Sequence, residues 1–108
     1  MNFVELLDDL KPQIISGVLK SNETLLDNLY SDTVSLNSEV LIQKHFIDCY
    51  HQYHNDLDRI VFKHISSIEN EYIRELMKFS IRHLISQNSL NYPTIENEFF
   101  IKFLKLRE

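Results

Sequence analysis

The sequence has no alanine or tryptophan, and its 108 residues include one glycine, two prolines and one cysteine. With Cys49 alone, no disulfide can form within the chain, which is typical of a reducing compartment. So little glycine and proline excludes a sandwich or barrel of many short strands, which needs frequent turns. Apolar runs are far shorter than the roughly 20 residues of a membrane span. The acidic amino terminus lacks the cationic stretch of a leader peptide. We therefore expect an all-α, cytoplasmic protein that does not contact membranes.

What is present fits one helical domain spanning residues 1–108. Apolar residues make up 44% of the chain, enough for a core without a disulfide or metal. The enrichment in Ile, Leu, Asn and Lys is typical of an AT-rich coding sequence such as that of a mobile element. Hydrophobic periodicity predicts a compact bundle of about five helices.

Two long central helices, at about 38–65 and 67–87, are expected to form a hairpin. Ser38 directly precedes a long apolar period and is a good N-cap. Ser66 and Glu69 have the spacing of a capping box, which predicts the start of the second helix. Apolar positions predict the inward faces. In the first helix these positions are Ile42, Phe46, Tyr50, Tyr53, Leu57, Ile60, Val61 and His64, and in the second they are Ile68, Tyr72, Ile73, Leu76, Phe79 and Leu84.

Shorter helices are expected on both sides of this hairpin. The predicted early helices are residues 3–10, 13–20 and 22–30. Asn2 can cap the first of them, Pro12 would separate it from the second, and Asn22 can cap the third. The last element follows Pro93 as a helix capped by Thr94. A strand is the alternative there, because the segment is rich in aromatic residues.

Charge is unevenly distributed along the chain. Residues 1–40 hold seven acidic and two basic residues, whereas the rest hold nine of each, so the first part carries the whole net charge of −5. No face gathers enough Lys and Arg to neutralise phosphates, which disfavours nucleic-acid binding. An acidic surface suits a basic protein partner, although solvated helix faces are the alternative. The candidate binding residues are Glu5, Asp8, Asp9, Asp27, Tyr30 and Asp32.

The leading functional hypothesis is a small acidic module that acts by protein–protein contact without catalysis, as inhibitors, immunity proteins and regulators do. The sequence offers amphipathic helices and few polar residues that could converge in a cleft. No glycine-rich phosphate loop is present, so no cofactor is expected. Bulky residues outside the apolar faces, such as Phe62, make a homodimer as plausible as a monomer.

Arg59 and His64, with four residues between them, suggest a catalytic alternative. This spacing resembles the Arg and His motif of HEPN ribonucleases, which are also small all-α proteins. The resemblance implies that His64 transfers a proton and that Arg59 stabilises the phosphate in the transition state. On an unbroken helix the two residues would point about 140° apart, and the competing interpretation is that His64 packs in the core.

A third hypothesis is a helical metal-binding protein. His51, His54 and Asp58 are spaced so that their side chains could converge on one edge of a helix. A single helix rarely supplies all the ligands, and the alternative is that these are ordinary surface histidines.

Overall fold

The computed structural model consists mainly of long helices. It describes residues 2–31 and 38–107, and for residues 100 and 102–107 it describes the backbone only. Its helices are α1 (Phe3–Ser31), α2 (Glu39–Ile65), α3 (Glu71–Asn88) and α4 (Tyr92–Arg107). No strand occurs in these ranges, so the all-α class is confirmed and the last element is a helix. Nowhere in this part of the chain is a helix long and apolar enough to cross a membrane.

Residues 3–31 form one helix where three short ones were predicted. Pro12 and Gly17 lie inside α1, and Asn22 is buried in the middle of it instead of capping a new helix. A proline inside a helix costs about 3 kcal/mol because it removes a hydrogen bond and crowds the preceding turn. The helix continues because Leu10 and Ile14, on either side of Pro12, pack into the same core. Tertiary packing therefore overrides the local helix-breaking signals.

Gly17 allows α1 and α2 to approach closely. A Cβ atom at this position would lie 3.3 Å from Cδ1 of Ile60, tighter than ordinary van der Waals contact. A side chain here would therefore require Ile60 on α2 to shift.

The start of α2 was predicted correctly. The Ser38 side chain accepts a hydrogen bond from the Leu41 backbone N–H at 3.2 Å, and the helix runs without interruption to Ile65. The chain then turns at residues 66 and 67, so the predicted hairpin with α3 is present.

The caps of α3 and α4 differ from those predicted. Asn70, not Ser66, caps α3 and accepts a hydrogen bond from the Ile73 N–H at 3.1 Å. Asn91, not Thr94, accepts a hydrogen bond from the first turn of α4. Each asparagine directly precedes its helix, whereas Ser66 caps the end of α2 and Thr94 already lies inside α4.

The helices form an elongated three-column bundle. α1 and α2 run antiparallel, and α3 followed by α4 fills the third column. The molecule measures 58 × 19 × 18 Å, with a radius of gyration of 17.2 Å, whereas a compact chain of this length would have about 13 Å. The predicted compact bundle of about five helices is therefore wrong. Fewer and longer helices are present, because α1 is not divided.

Two hydrophobic clusters lie along the bundle. The aromatic core joins α1, α2 and α4, and its buried members are Leu25, Leu29, Ile42, Phe46, Tyr53, Ile95 and Phe99. The aliphatic core joins α1, α2 and α3, and its buried members are Ile14, Val18, Val61, Met77, Ile81, Leu84 and Ile85. Leu57 borders both clusters.

The inward face was predicted correctly for α2 but only in part for α3, where Leu84 is buried and Ile73 is half-buried as expected. Every residue predicted to face inward on α2 is buried or half-buried. On α3, Tyr72, Leu76 and Phe79 are exposed, whereas Met77 and Ile81 are fully buried. This helix has two apolar stripes, and the one with Met77 and Ile81 packs against α1.

Candidate functional site

The outer face of α1 is acidic. Glu5, Asp9, Glu23 and Asp27 are all exposed, and none makes an ion pair with a described residue. Because 18 residues complete five helical turns, Glu23 lies in line with Glu5, and Asp27 lies in line with Asp9. The same spacing separates the residues of each pair by about 27 Å along the helix axis.

An apolar patch lies between these acidic ends. Pro12, Ile15 and Leu19 line a shallow depression on α1, bordered by Lys20 and Glu23. About half of the Leu19 side chain, 51%, is exposed to solvent. Along its outer face, α1 is thus acidic at both ends, with a mainly apolar centre that also contains Ser16 and the exposed Lys20.

The structure places the remaining predicted binding residues in different settings. Asp8 is exposed beside Glu5 and Asp9. Tyr30 is half-buried with its ring 6.0 Å from that of Phe99, and burial together with the nearby Glu98 charge raises the pKa of its phenol. Asp32 lies outside the described residues. The predicted set therefore spreads along α1 and is not one compact patch.

The proposed metal ligands lie on or near a groove of about 460 Å³ between α2 and α3. His54 and Asp58 line this groove opposite Arg82 and Ser86, and His54 Nε2 lies 3.9 Å from Asp58 Oδ2. His51 is exposed and does not line the groove. Within the described residues, no three His, Cys, Asp or Glu side chains are grouped to hold a metal ion. Of the three proposed metal ligands, His54 and Asp58 lie close together and His51 does not join them.

The two residues of the ribonuclease alternative do not converge. They lie on the uninterrupted α2, where five residues turn the helix by about 140° from one side chain to the other. Arg59 is exposed and its Nη1 lies 3.4 Å from Asp56 Oδ1. His64 is half-buried at the edge of the bundle. Desolvation, and then the charge of Lys63, lower the pKa of its imidazole.

A buried polar network joins the three columns where α3 gives way to α4. The Tyr53 hydroxyl donates to the side-chain oxygen of Asn22 and accepts from the Leu90 N–H at 3.0 Å. Asn22 Nδ2 donates to the Asn88 carbonyl at 3.0 Å. Burial raises the pKa of the Tyr53 phenol. These bonds satisfy backbone groups that the helix break leaves free.

This network was not predicted from the sequence, because Asn22 was interpreted as a cap. Its position contained a usable signal, since Asn22 follows Val18 by four residues and precedes Leu25 by three. It therefore lies on the apolar stripe of a continuous helix. A polar residue in that stripe predicts a buried hydrogen-bond partner.

No protein-family model matches the chain, and neither a curated protein nor a solved structure is significantly similar to it. The resemblance of Arg59 and His64 to a ribonuclease motif thus rests on these two residues alone.

Proposed function

We propose that this protein is a non-catalytic binding module that contacts a basic protein partner through the outer face of α1. The observation that supports this is the alignment of two acidic clusters and an exposed leucine along one uninterrupted helix. Acidic groups steer a basic partner and fix its orientation, and the apolar centre supplies contact area that excludes water. Inhibitors, immunity proteins and regulators act in this way, by covering a surface of another protein.

The spacing of the acidic residues along α1 also predicts the length and charge of the partner's binding surface. A partner surface that reaches both acidic ends must extend over about 27 Å. It should carry Lys or Arg at both ends and apolar side chains in the middle, opposite Leu19. We place this contact in the cytoplasm, as the lone Cys49 indicates.

Charge neutralisation on α1 tests the proposal. The tagged protein is used to capture partners from extracts of its native host, in parallel with the variant Asp9→Asn/Glu23→Gln/Asp27→Asn. The matched control, Asp48→Asn/Glu69→Gln/Glu98→Gln, removes the same charge from exposed positions outside α1. We expect a basic protein that binds the wild type and the control. Its affinity for the α1 variant, measured by titration calorimetry, should fall roughly tenfold.

Salt provides a second readout of the same contact. Raising the salt concentration shortens the screening length, so binding should weaken in the wild type and less so in the α1 variant. The proposal is contradicted if no basic protein is captured, or if the variant and the control bind alike.

The apolar centre can be tested separately. Leu19→Ser should weaken binding, whereas Leu41→Ser should not, since Leu41 has a similar exposure, 44% against 51%, but lies on α2. Equal loss in both variants would mean that the effect is not specific to α1.

A further inference from the structure

α3 presents a second apolar surface, on a different side of the molecule from the outer face of α1. Tyr72 is 74% exposed and Phe79 is 75% exposed, and Leu76 lies between them. With spacings of four and three residues, the three side chains form one stripe. The stripe points away from Met77 and Ile81, which are buried on the opposite side of the helix.

Opposite charges flank this stripe. Glu75 and Arg82 are exposed, and neither makes an ion pair with a described residue. Seven residues apart, they lie on the same side of the stripe, two turns from one another. On this flank the acidic Glu71 and Glu75 precede the basic Lys78 and Arg82. Arg74 lies on another side of the helix, where its guanidinium donates to the Ile68 carbonyl.

We propose that the α3 stripe binds a second copy of this chain, with the two α3 helices antiparallel about a two-fold axis between Leu76 and Phe79. This inference uses a different surface from the proposed function and does not depend on it.

The charge pattern argues for a second copy. In an antiparallel helix pair, residues on the same flank of each helix face one another. Glu75 of one copy therefore lies beside Arg82 of the other, and the symmetry forms this pair twice. In a parallel pair this flank would instead face the opposite flank of the partner helix, where Ser80 and Gln87 lie, so neither ion pair would form. The surface is thus complementary to itself in the antiparallel arrangement.

The size of the stripe predicts a weak dimer. Each exposed aromatic side chain has a total surface of about 150–250 Å², so the stripe with its charged flanks falls short of the roughly 800 Å² per partner of a standard interface. We expect dissociation in the micromolar range.

Sedimentation equilibrium from about 1 to about 500 µM brackets such an interface and tests the apolar stripe. The wild type should change from monomer to dimer over this range. Tyr72→Ser/Phe79→Ser should remain monomeric, with unchanged helix content by circular dichroism. The control Val40→Ser/Ile47→Ser, which alters exposed apolar residues of α2, should still dimerise. A wild type that stays monomeric would overturn the proposal, as would a dimer that persists without the α3 rings or is lost in the control.

Charge exchange tests the antiparallel arrangement. Glu75→Arg alone and Arg82→Glu alone each place like charges together twice, and each should raise the dissociation constant roughly tenfold. The double variant Glu75→Arg/Arg82→Glu should regain wild-type dimerisation, and an equimolar mixture of the two single variants should form heterodimers. If neither the double variant nor the mixture recovers the dimer, the antiparallel arrangement is wrong. Because all α1 residues remain wild type, these results are independent of partner binding there.

Discussion

The two cores of this protein are built from different side chains. In the aromatic core, Phe46 lies 5.4 Å from the ring of Phe99 and 5.3 Å from that of Tyr92. The aliphatic core contains no buried aromatic residue within the described part of the chain. It is surrounded by a larger set of partly buried apolar side chains from the first turns of α1 and the start of α3.

This difference determines which side chains stabilise each end of the elongated bundle. The aliphatic core is held by many interchangeable contacts, so the loss of a single methyl group has a limited effect. The aromatic core depends on a few large rings, and only Ile95 and Phe99 of the described α4 side chains are buried in it. We expect the α4 end to be the less stable end.

The largest expected effect comes from removing a ring from the aromatic core. Phe46→Ala should lower the free energy of unfolding by about 3–5 kcal/mol, because it leaves a cavity and removes contacts with Tyr92 and Phe99. Ile81→Val in the aliphatic core should lower it by only about 0.5–1.5 kcal/mol. Urea unfolding followed by circular dichroism measures both. A loss of about 1 kcal/mol or less for Phe46→Ala would show that this ring does not support the aromatic core as described.

The polar network between the cores should give the next largest effect. Tyr53→Phe keeps the ring but leaves the Leu90 N–H and the Asn22 side-chain oxygen without their partner, at a cost of about 1–3 kcal/mol. Asn22→Ala should also lower the free energy of unfolding, in part through loss of the same hydrogen bond. The double variant should therefore be less destabilised than the sum of the single variants. Strict additivity in the urea midpoints would contradict a shared network.

High pH should weaken the aromatic core selectively. Burial raises the pKa of the phenols of Tyr30, Tyr50, Tyr53 and Tyr92, all of which lie in or beside this core. The folded state therefore favours the protonated phenols. The contribution of these phenols to the free energy of unfolding is fully present below about pH 10, the ordinary pKa of tyrosine. It is lost as the pH rises above that value.

Urea unfolding between about pH 8 and about pH 11 measures this loss, because the unfolded tyrosines ionise within that range. The variant Tyr50→Phe should lose less stability over the same interval. If Tyr50→Phe had the wild-type pH dependence, ionisation of the Tyr50 phenol would not contribute to the loss of stability at high pH.

The smallest expected effect concerns His64. Desolvation, followed by Lys63, lowers its pKa in the folded state, so the unfolded state binds the proton more readily. Its contribution to stability is present above about pH 6.5 and is lost as the pH falls below that value. His64→Gln should therefore flatten the dependence of stability on pH between about pH 6.5 and about pH 5. His51→Gln, at an exposed position, is the control and should leave the dependence unchanged.

Helices that local residues determine were predicted correctly from the sequence, whereas a helix that depends on distant packing was not. α2 was predicted almost to the residue because Ser38 gives a cap and a single apolar stripe continues without a breaker. α1 was divided in error because Pro12, Gly17 and Asn22 are local signals for helix ends. The packing that overrides them comes from α2 and α3, which are distant in sequence.

The site was only partly predictable for the same reason. Glu5, Asp8, Asp9 and Asp27 were identified from charge alone, whereas Glu23 was missed. Its alignment with Glu5 depends on a helix that was predicted to be broken. Tyr72 and Phe79 were placed inward because an apolar stripe usually faces the core. α3 has two such stripes, and only the position of α1 decides which one is buried.

Carboxylate footprinting of the complex with the captured partner shows directly which face of the protein is bound. A carbodiimide label modifies exposed carboxylates, and mass spectrometry measures the modification at each one. We expect the partner to protect Glu5, Asp9, Glu23 and Asp27 while Asp48, Glu69 and Glu98 remain labelled as in the free protein. Protection of the second group with continued labelling of the α1 carboxylates would show that the outer face of α1 is not the binding surface.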